Sequence, residues 1–283
     1  MKESEILVIG AGGQLGSVLT TKYPNARSVD IQQLNISDFE SISSYNWKNS
    51  KIVINAAAYT NVDGAETEDG RIVAWQSNAV AIANLVMICE ENDLTLVHIS
   101  TDYVFDGKRK VHDEEEPFSP LGVYGQTKAA GDIVLSTHKK KYILRTSWVI
   151  GEGNNFIRTM INIGKKGIDP VVVSDQIGRL TFTDELVRAI DYLLSNECPY
   201  GTYNVTNDGE SVSWAEITTQ VFKLANLKNK VKEISTHDYY KDKPEAAKRP
   251  LNSTLDLTKL HSTGFKSKSW STSLESYVEK ELQ

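Results

Sequence analysis

Apolar residues fall into short blocks along the first half of the chain, separated by longer stretches of helical spacing. Glu5–Ile9, Lys51–Asn55, Leu94–Ile99 and Lys141–Arg145 are compact runs rich in β-branched residues. Each predicts a buried strand. Ala26–Asp30 predicts a further strand. Between these runs, residues up to Lys22, residues 69–92 and the segment carrying Tyr124 and Lys128 place apolar side chains at helical intervals. Further on, Asp184–Leu194 reads as an amphipathic helix and Tyr203–Val205 as a strand that returns to the same sheet. Alternation of this kind implies right-handed crossovers and helices on both faces of a parallel sheet. The expected fold class is therefore α/β, a doubly wound parallel sheet of Rossmann type, with ligands collecting at the carboxyl ends of the strands.

Those strand ends carry the candidate chemistry. The first strand runs into Gly10, Gly12, Gly13 and Gly16 and then into a helix. Glycines there let the backbone approach a pyrophosphate, and the helix offers free N–H groups to it. Gly10, Gly13, Gln14 and Leu15 are the phosphate-side candidates; the competing reading is an ordinary strand-to-helix turn. Asp30 follows Gly10 by 20 residues and ends the second strand, where a carboxylate can accept from the adenosine ribose. It would repel a 2′-phosphate, so NADH should be accepted; the choice between NADPH and NADH stays open. Ala56, Ala57, Ala58 and Tyr59 follow the third strand, and small side chains there allow a flat nucleotide to pass close. Close helix packing would also want alanine.

Tyr124 and Lys128 sit four residues apart, on one face of a helix. A free phenol has a pKa of about 10. A neighbouring ammonium favours the phenolate and brings the phenol toward useful proton transfer. Thr101 ends the preceding strand 23 residues before Tyr124, so its hydroxyl is placed to hold a substrate carbonyl oxygen. A strand-end cap is the alternative for Thr101. Trp148 follows the next strand, where an exposed indole would stack on a base or sugar.

Composition narrows the partners. A chain of 283 residues can bury about three quarters of its unfolded surface, enough for one large domain or one domain with a smaller companion. The net charge is −6, and no basic run exceeds Lys139–Lys141, so neither nucleic acid nor a membrane is expected as a partner. No uninterrupted apolar stretch reaches the ~18 residues that span a bilayer, and no signal-peptide pattern opens the chain. Cys89 and Cys198 form no redox or metal motif, and five scattered histidines show no ligand spacing. A cytoplasmic location is expected, with no metal.

Taken together, Gly13–Gly16, Asn55–Thr60, Ser100–Phe105, Tyr124–Lys128, Arg145–Trp148, Gly153–Phe156, Asp175–Arg179, Gly201–Asn204 and Arg249–Ser253 resemble the dTDP-4-dehydrorhamnose reductase family of extended short-chain dehydrogenases/reductases. The likeness covers nearly the whole chain. It implies hydride transfer from NADPH or NADH to the C4 keto carbon of dTDP-4-dehydro-β-L-rhamnose, giving dTDP-L-rhamnose. It implies Tyr124 as proton donor, Lys128 on the nicotinamide ribose and Thr101 on the carbonyl oxygen. Thr60, Val62, Asp102, Tyr103, Trp148, Asn155 and Asn252 are implied on the substrate side, with Arg179 available for a phosphate.

Departures from the family pattern are also visible. Leu180 stands where the family usually has proline, and Asn35 where it often has aspartate. Asn35 and Ile36 are expected to flank the adenine. Some members bind Mg²⁺ through an acid early in the first helix; residues 16–19 here contain none. Residues 1–150 and 182–207 are expected to form the dinucleotide-binding domain, with 151–181 and 208–283 forming a smaller substrate lobe. The charges at 108–110 and 113–116 are expected to be solvated. The resemblance leaves a monomer or a homodimer open. A nucleotide-sugar epimerase would retain its NAD tightly, and a 4,6-dehydratase would need Asp-Glu directly after Thr101, where Asp102-Tyr103 stands. A non-catalytic regulatory subunit resembling that of methionine adenosyltransferase would share many of these motifs.

Overall fold

The computed structural model describes residues 1–283. Six parallel strands form the central sheet: β1 (Ile6–Ile9), β2 (Arg27–Val29), β3 (Ile52–Asn55), β4 (Thr95–Thr101), β5 (Lys141–Thr146) and β6 (Gly201–Asn204). Their spatial order is β6-β5-β4-β3-β1-β2. The direction of winding reverses between β1 and β3, so a crevice opens outside their carboxyl ends.

The sheet is apolar on both faces because helices cover both. Ile6, Val8, Ile54, Val97 and Leu144 point into one core, together with Leu15 and Leu19 from α1 (Gln14–Lys22). Leu7, Ile9, Val53, Leu96 and Ile143 point into the other. Successive residues of each strand thus feed opposite cores, as the strand period of two requires.

The second core is covered by α2, continuous from Glu68 to Glu91. An 18-residue window of this helix has a mean hydropathy of 1.6, so by length and composition it is long and apolar enough to cross a membrane. Ile82, Leu85, Val86, Ile88 and Cys89 are buried against the sheet, which accounts for the helix's apolarity. Residues 76–80 of α2 form a π-turn. This bulge presents Asn78, whose side chain accepts from Tyr59 N–H at 2.9 Å and donates to the Tyr59 carbonyl and the Thr127 hydroxyl, both at 3.1 Å. One side chain therefore ties the loop after β3 to α3 (Val123–Ser136).

A further apolar cluster lies apart from the sheet. It joins Ile150, Ile157, Leu180 and Phe182 to Ile217, Phe222, Trp270 and Leu274. Its helices span Phe156–Lys165, Trp214–Leu224 and Trp270–Leu282. Leu260 and Phe265, by contrast, pack into the sheet core with α4 (Thr183–Ser195). The C-terminal stretch is therefore shared between the two bodies.

Candidate active site

The glycine loop is shaped by close contacts rather than by flexibility alone. Gly10 has φ +81°, and a Cβ there would sit 2.7 Å from Ala57 N. A Cβ on Gly16 would sit 1.9 Å from the Gly10 carbonyl oxygen. α1 can therefore approach β1 only with these glycines in place. Gly13 caps α1 without a side-chain hydrogen bond, leaving the first N–H groups facing the crevice. Both carboxylate oxygens of Asp30 accept from Gly12 N–H, at 3.1 and 3.0 Å. Gly10, Gly13, Asp30, Asn35, Ile36 and Ala56–Ala58 line one cavity of about 270 Å³. Leu15 is buried in the core behind this loop, and Gln14 Nε2 donates to the Asn154 carbonyl at 3.0 Å.

The second part of the site stands at the carboxyl end of β4. Thr101 ends the strand, and Tyr124 opens α3 beside it. Gly125 makes the approach possible, since a Cβ there would lie 2.2 Å from the Tyr103 carbonyl oxygen. The Tyr103 and Tyr124 rings meet edge to face at 5.4 Å. The Thr101 hydroxyl donates to Asp102 Oδ1 at 3.0 Å and also favours the phenolate of Tyr124. Burial nevertheless pushes the Tyr124 phenol above its ordinary value, and the carboxylates of Asp102 and Asp132 push it further. Asp102 is itself raised to about 6 by burial, against hydrogen bonds from Ser253 and Thr101.

Lys128 lies one turn below Tyr124 and is 1% exposed. Its Nζ donates to the Ile99 carbonyl at 2.7 Å and lies 3.1 Å from His98 Nε2. Burial lowers its ammonium to about 8, while Asp132 pulls the other way. The expected sharpening of Tyr124 by Lys128 is thus absent from this arrangement: the amine is turned toward β4, and desolvation dominates both groups. One turn further along α3, Asp132 receives Arg145 Nε at 3.0 Å, completing a buried polar row behind the phenol.

A crevice at the ends of β1 and β3 therefore stands beside a Thr-Tyr-Lys cluster at the end of the adjacent strand β4. The family model described as "RmlD substrate binding domain" matches residues 4–283 of this chain. The chain belongs to the dTDP-4-dehydrorhamnose reductase family. A dTDP-4-dehydrorhamnose reductase of Aggregatibacter actinomycetemcomitans is 36% identical over 96% of this chain and 97% of its own length. The structure of the same enzyme from Clostridium acetobutylicum superimposes with a TM-score of 0.90 at 34% identity, covering 98% of this chain and 99% of that one. The Bacillus anthracis enzyme in complex with NADP gives a TM-score of 0.89 at 35% identity, covering 97% and 98%.

The residues that the family likeness assigns to substrate do not all converge. Asp102 is buried beside Thr101, and half-buried Tyr103 packs against Tyr124. Thr60 and Val62 lie on the loop after β3, which Asn78 anchors. Trp148 is half-buried rather than exposed: Trp214 covers one of its faces, with ring centroids 3.9 Å apart at 20°. Its φ of +47° is left-handed, a costly conformation for a bulky residue, so the backbone aims this indole against its own preference.

Asn155, Asn252 and Arg179 are held by structural partners. Asn155 caps the 156–165 helix and donates to Tyr277 Oη at 2.7 Å. Asn252 donates to the Lys110 carbonyl at 2.9 Å and accepts from Thr254 N–H at 2.8 Å. Arg179, expected to be available for a phosphate, is 7% exposed, with its guanidinium on the Leu255 carbonyl and Asp208. The acidic run at 113–116 is likewise only partly solvated. Glu116 is buried on His112 at 2.8 Å, and Glu114 accepts from Asn204 N–H at 2.8 Å.

Several site residues escape a reading of the sequence. His98 and Asn55 lie under Lys128, while Asp132 and Arg145 lie behind it. The available signal is a histidine in the middle of an apolar strand, where an imidazole needs partners. Asp63 and Arg249 form a 2.7 Å ion pair between the loop after β3 and the C-terminal region. Nothing in their spacing announces it.

Proposed function

We propose that this chain reduces the C4 keto group of dTDP-4-dehydro-β-L-rhamnose with NADPH or NADH, giving dTDP-L-rhamnose. The observation that carries this reading is the meeting of Thr101 and Tyr124 at the end of β4, beside the crevice at the winding reversal. Gly10, Gly13, Gln14 and Leu15 are assigned to the pyrophosphate side of the cofactor, Asp30, Asn35 and Ile36 to the adenosine side, and Ala56–Tyr59 with Lys128 to the nicotinamide side. When bound, the reduced nicotinamide supplies the hydride that the carbonyl carbon accepts.

Tyr124 gives its phenolic proton to the oxygen as the carbonyl pair moves onto it. Because burial favours the neutral phenol, Tyr124 stays protonated and ready to donate through the neutral range. Thr101 holds the same oxygen, and Trp148, Thr60, Val62, Asp102 and Tyr103 contribute to the sugar side. Asn155, Asn252 and Arg179 support that side by holding its loops.

Under this reading, residues 1–150 and 182–207 bind the dinucleotide, and residues 151–181 and 208–283 close over the nucleotide sugar. The protein acts in the cytoplasm as a monomer or homodimer, with no nucleic acid or membrane partner. The test is to supply the purified chain with the dTDP-linked keto sugar and NADH or NADPH. Steady coenzyme oxidation that requires the sugar is expected. Absence of oxidation with either coenzyme would overturn the assignment.

A further inference from the structure

Glu66 belongs to the loop after β3, yet its side chain acts on α3. Its Oε1 accepts the Val123 N–H at 2.8 Å, from 57 residues away in sequence. Val123 is the first residue of α3 and Tyr124 the second. Gly122, just before them, caps the helix without a side-chain hydrogen bond. The first N–H groups of a helix have no partner within it, and the Glu66 carboxylate takes one of them. A negative charge there also suits the positive end of the helix dipole.

The carboxylate is presented by a turn that is itself fixed. Gly64–Glu66 form a 3-10 turn, and Asn61 Oδ1 accepts the Gly64 N–H at 2.9 Å. Thr67, directly after Glu66, caps α2: its hydroxyl accepts from Gly70 N–H at 3.1 Å and donates to the Gly64 carbonyl at 2.8 Å. Ala65 is fully buried in a small cluster with Ala74 and Val123, against which Tyr59 and Tyr124 pack. The absence of a side chain at Gly122 leaves room for the bond, since a Cβ there would lie 2.5 Å from Glu66 Oε1.

Contacts on both sides of Tyr124 thus fix the start of α3. Gly125 rests against the Tyr103 carbonyl. That contact is steric, so it stops the helix from coming nearer to β4 but does nothing to stop it from leaving. The bond from Val123 N–H to Glu66 supplies the missing restraint at the adjacent residue. We propose that Glu66 is a positioning residue that pins the first turn of α3 and so keeps the Tyr124 phenol in register with Thr101. The inference deepens the reductase reading and rests on it for its catalytic meaning, whereas the bond to Val123 does not.

Two substitutions separate reach from charge. Glu66→Gln keeps an acceptor oxygen on a side chain of the same length and removes the charge. Glu66→Asp keeps the charge and draws it back by one methylene. Amide hydrogen exchange at Val123, read by NMR on the full-length protein without coenzyme or sugar, reports the bond directly. Exchange in Glu66→Gln should stay within about threefold of wild type, and in Glu66→Asp it should be at least about tenfold faster. Exchange at the wild-type rate in Glu66→Asp would overturn the proposal, whatever the activity.

Steady-state kinetics on the same proteins supply the catalytic arm. In Glu66→Asp, kcat should fall about 10- to 100-fold with KM and coenzyme Kd within about threefold, because a shift of about 1 Å in a reacting group costs up to about 10²-fold. Glu66→Gln should keep kcat within about threefold of wild type, since the oxygen that holds Val123 is retained. Fast exchange in Glu66→Asp with wild-type kcat would refute the positioning role. So would a loss of kcat in Glu66→Gln with Val123 still protected, which would make the charge rather than the placement responsible. Failure of the reductase reading would instead show as absent coenzyme oxidation by the wild-type protein, with the exchange difference between the two variants intact.

Discussion

Gly125 lies so close to Tyr103 that a methyl group on it would stand 2.2 Å from the Tyr103 carbonyl oxygen. This contact seats α3 against the end of β4 and so brings Tyr124 to Thr101. Gly125→Ala should cost about 1–3 kcal/mol of stability by overpacking. It should also lower kcat more than it raises KM, because the helix must move away from β4. Urea denaturation and steady-state kinetics on the variant check both effects.

Asp30 engages the glycine loop through both of its oxygens on Gly12 N–H. Asp30→Ala should loosen that loop and remove the negative charge that opposes a 2′-phosphate. The Kd for NADH should rise about tenfold, equivalent to ~1.4 kcal/mol, while NADPH loses less. Titration with each coenzyme gives the ratio. An unchanged ratio would place Asp30 away from the adenosine ribose.

Asp102 carries a pH dependence of stability. Its folded pKa of about 6 lies above the ordinary 3.8. The fold therefore favours the protonated carboxyl, and stability falls as pH rises through that interval. The gap between 3.8 and about 6 corresponds to at most ~3 kcal/mol of lost stability, fully felt above pH 6. Asp102→Asn should therefore stabilise the protein more at pH 8 than at pH 5. Denaturation midpoints at the two values decide it.

Much of this architecture is written in local patterns. The β-branched runs at Ile6–Ile9 and 52–54 are apolar throughout, as strands covered on both faces must be, and their strands lie inside the sheet. The glycine loop and the Tyr124–Lys128 spacing mark the two halves of the site for the same reason: the chemistry depends on residues near each other in sequence. What local pattern does not record is direction. The four-residue spacing predicts that Lys128 faces the phenol, yet its amine points to His98 and Ile99 because β4 offers it acceptors. Arg179 reads as a free cation until Leu255, 76 residues away, captures it. The π-turn at residues 76–80 that aims Asn78 at Tyr59 answers to contacts with the loop after β3 and with Thr127, which are distant in sequence.

Thr101→Val is nearly isosteric and leaves the crevice untouched. Coenzyme affinity should stay within about twofold of wild type while kcat falls by about 10²-fold, as for loss of one transition-state hydrogen-bond donor. Loss of NADH binding with normal turnover at saturation would contradict the role assigned to its hydroxyl.

The central claim is that the Tyr124 phenol delivers the proton. The most direct measurement is the single-turnover rate of Tyr124→Phe with saturating coenzyme and the dTDP-linked keto sugar. The account predicts a fall of about 10²–10⁴-fold with coenzyme binding retained. A rate equal to that of the wild-type protein would contradict it.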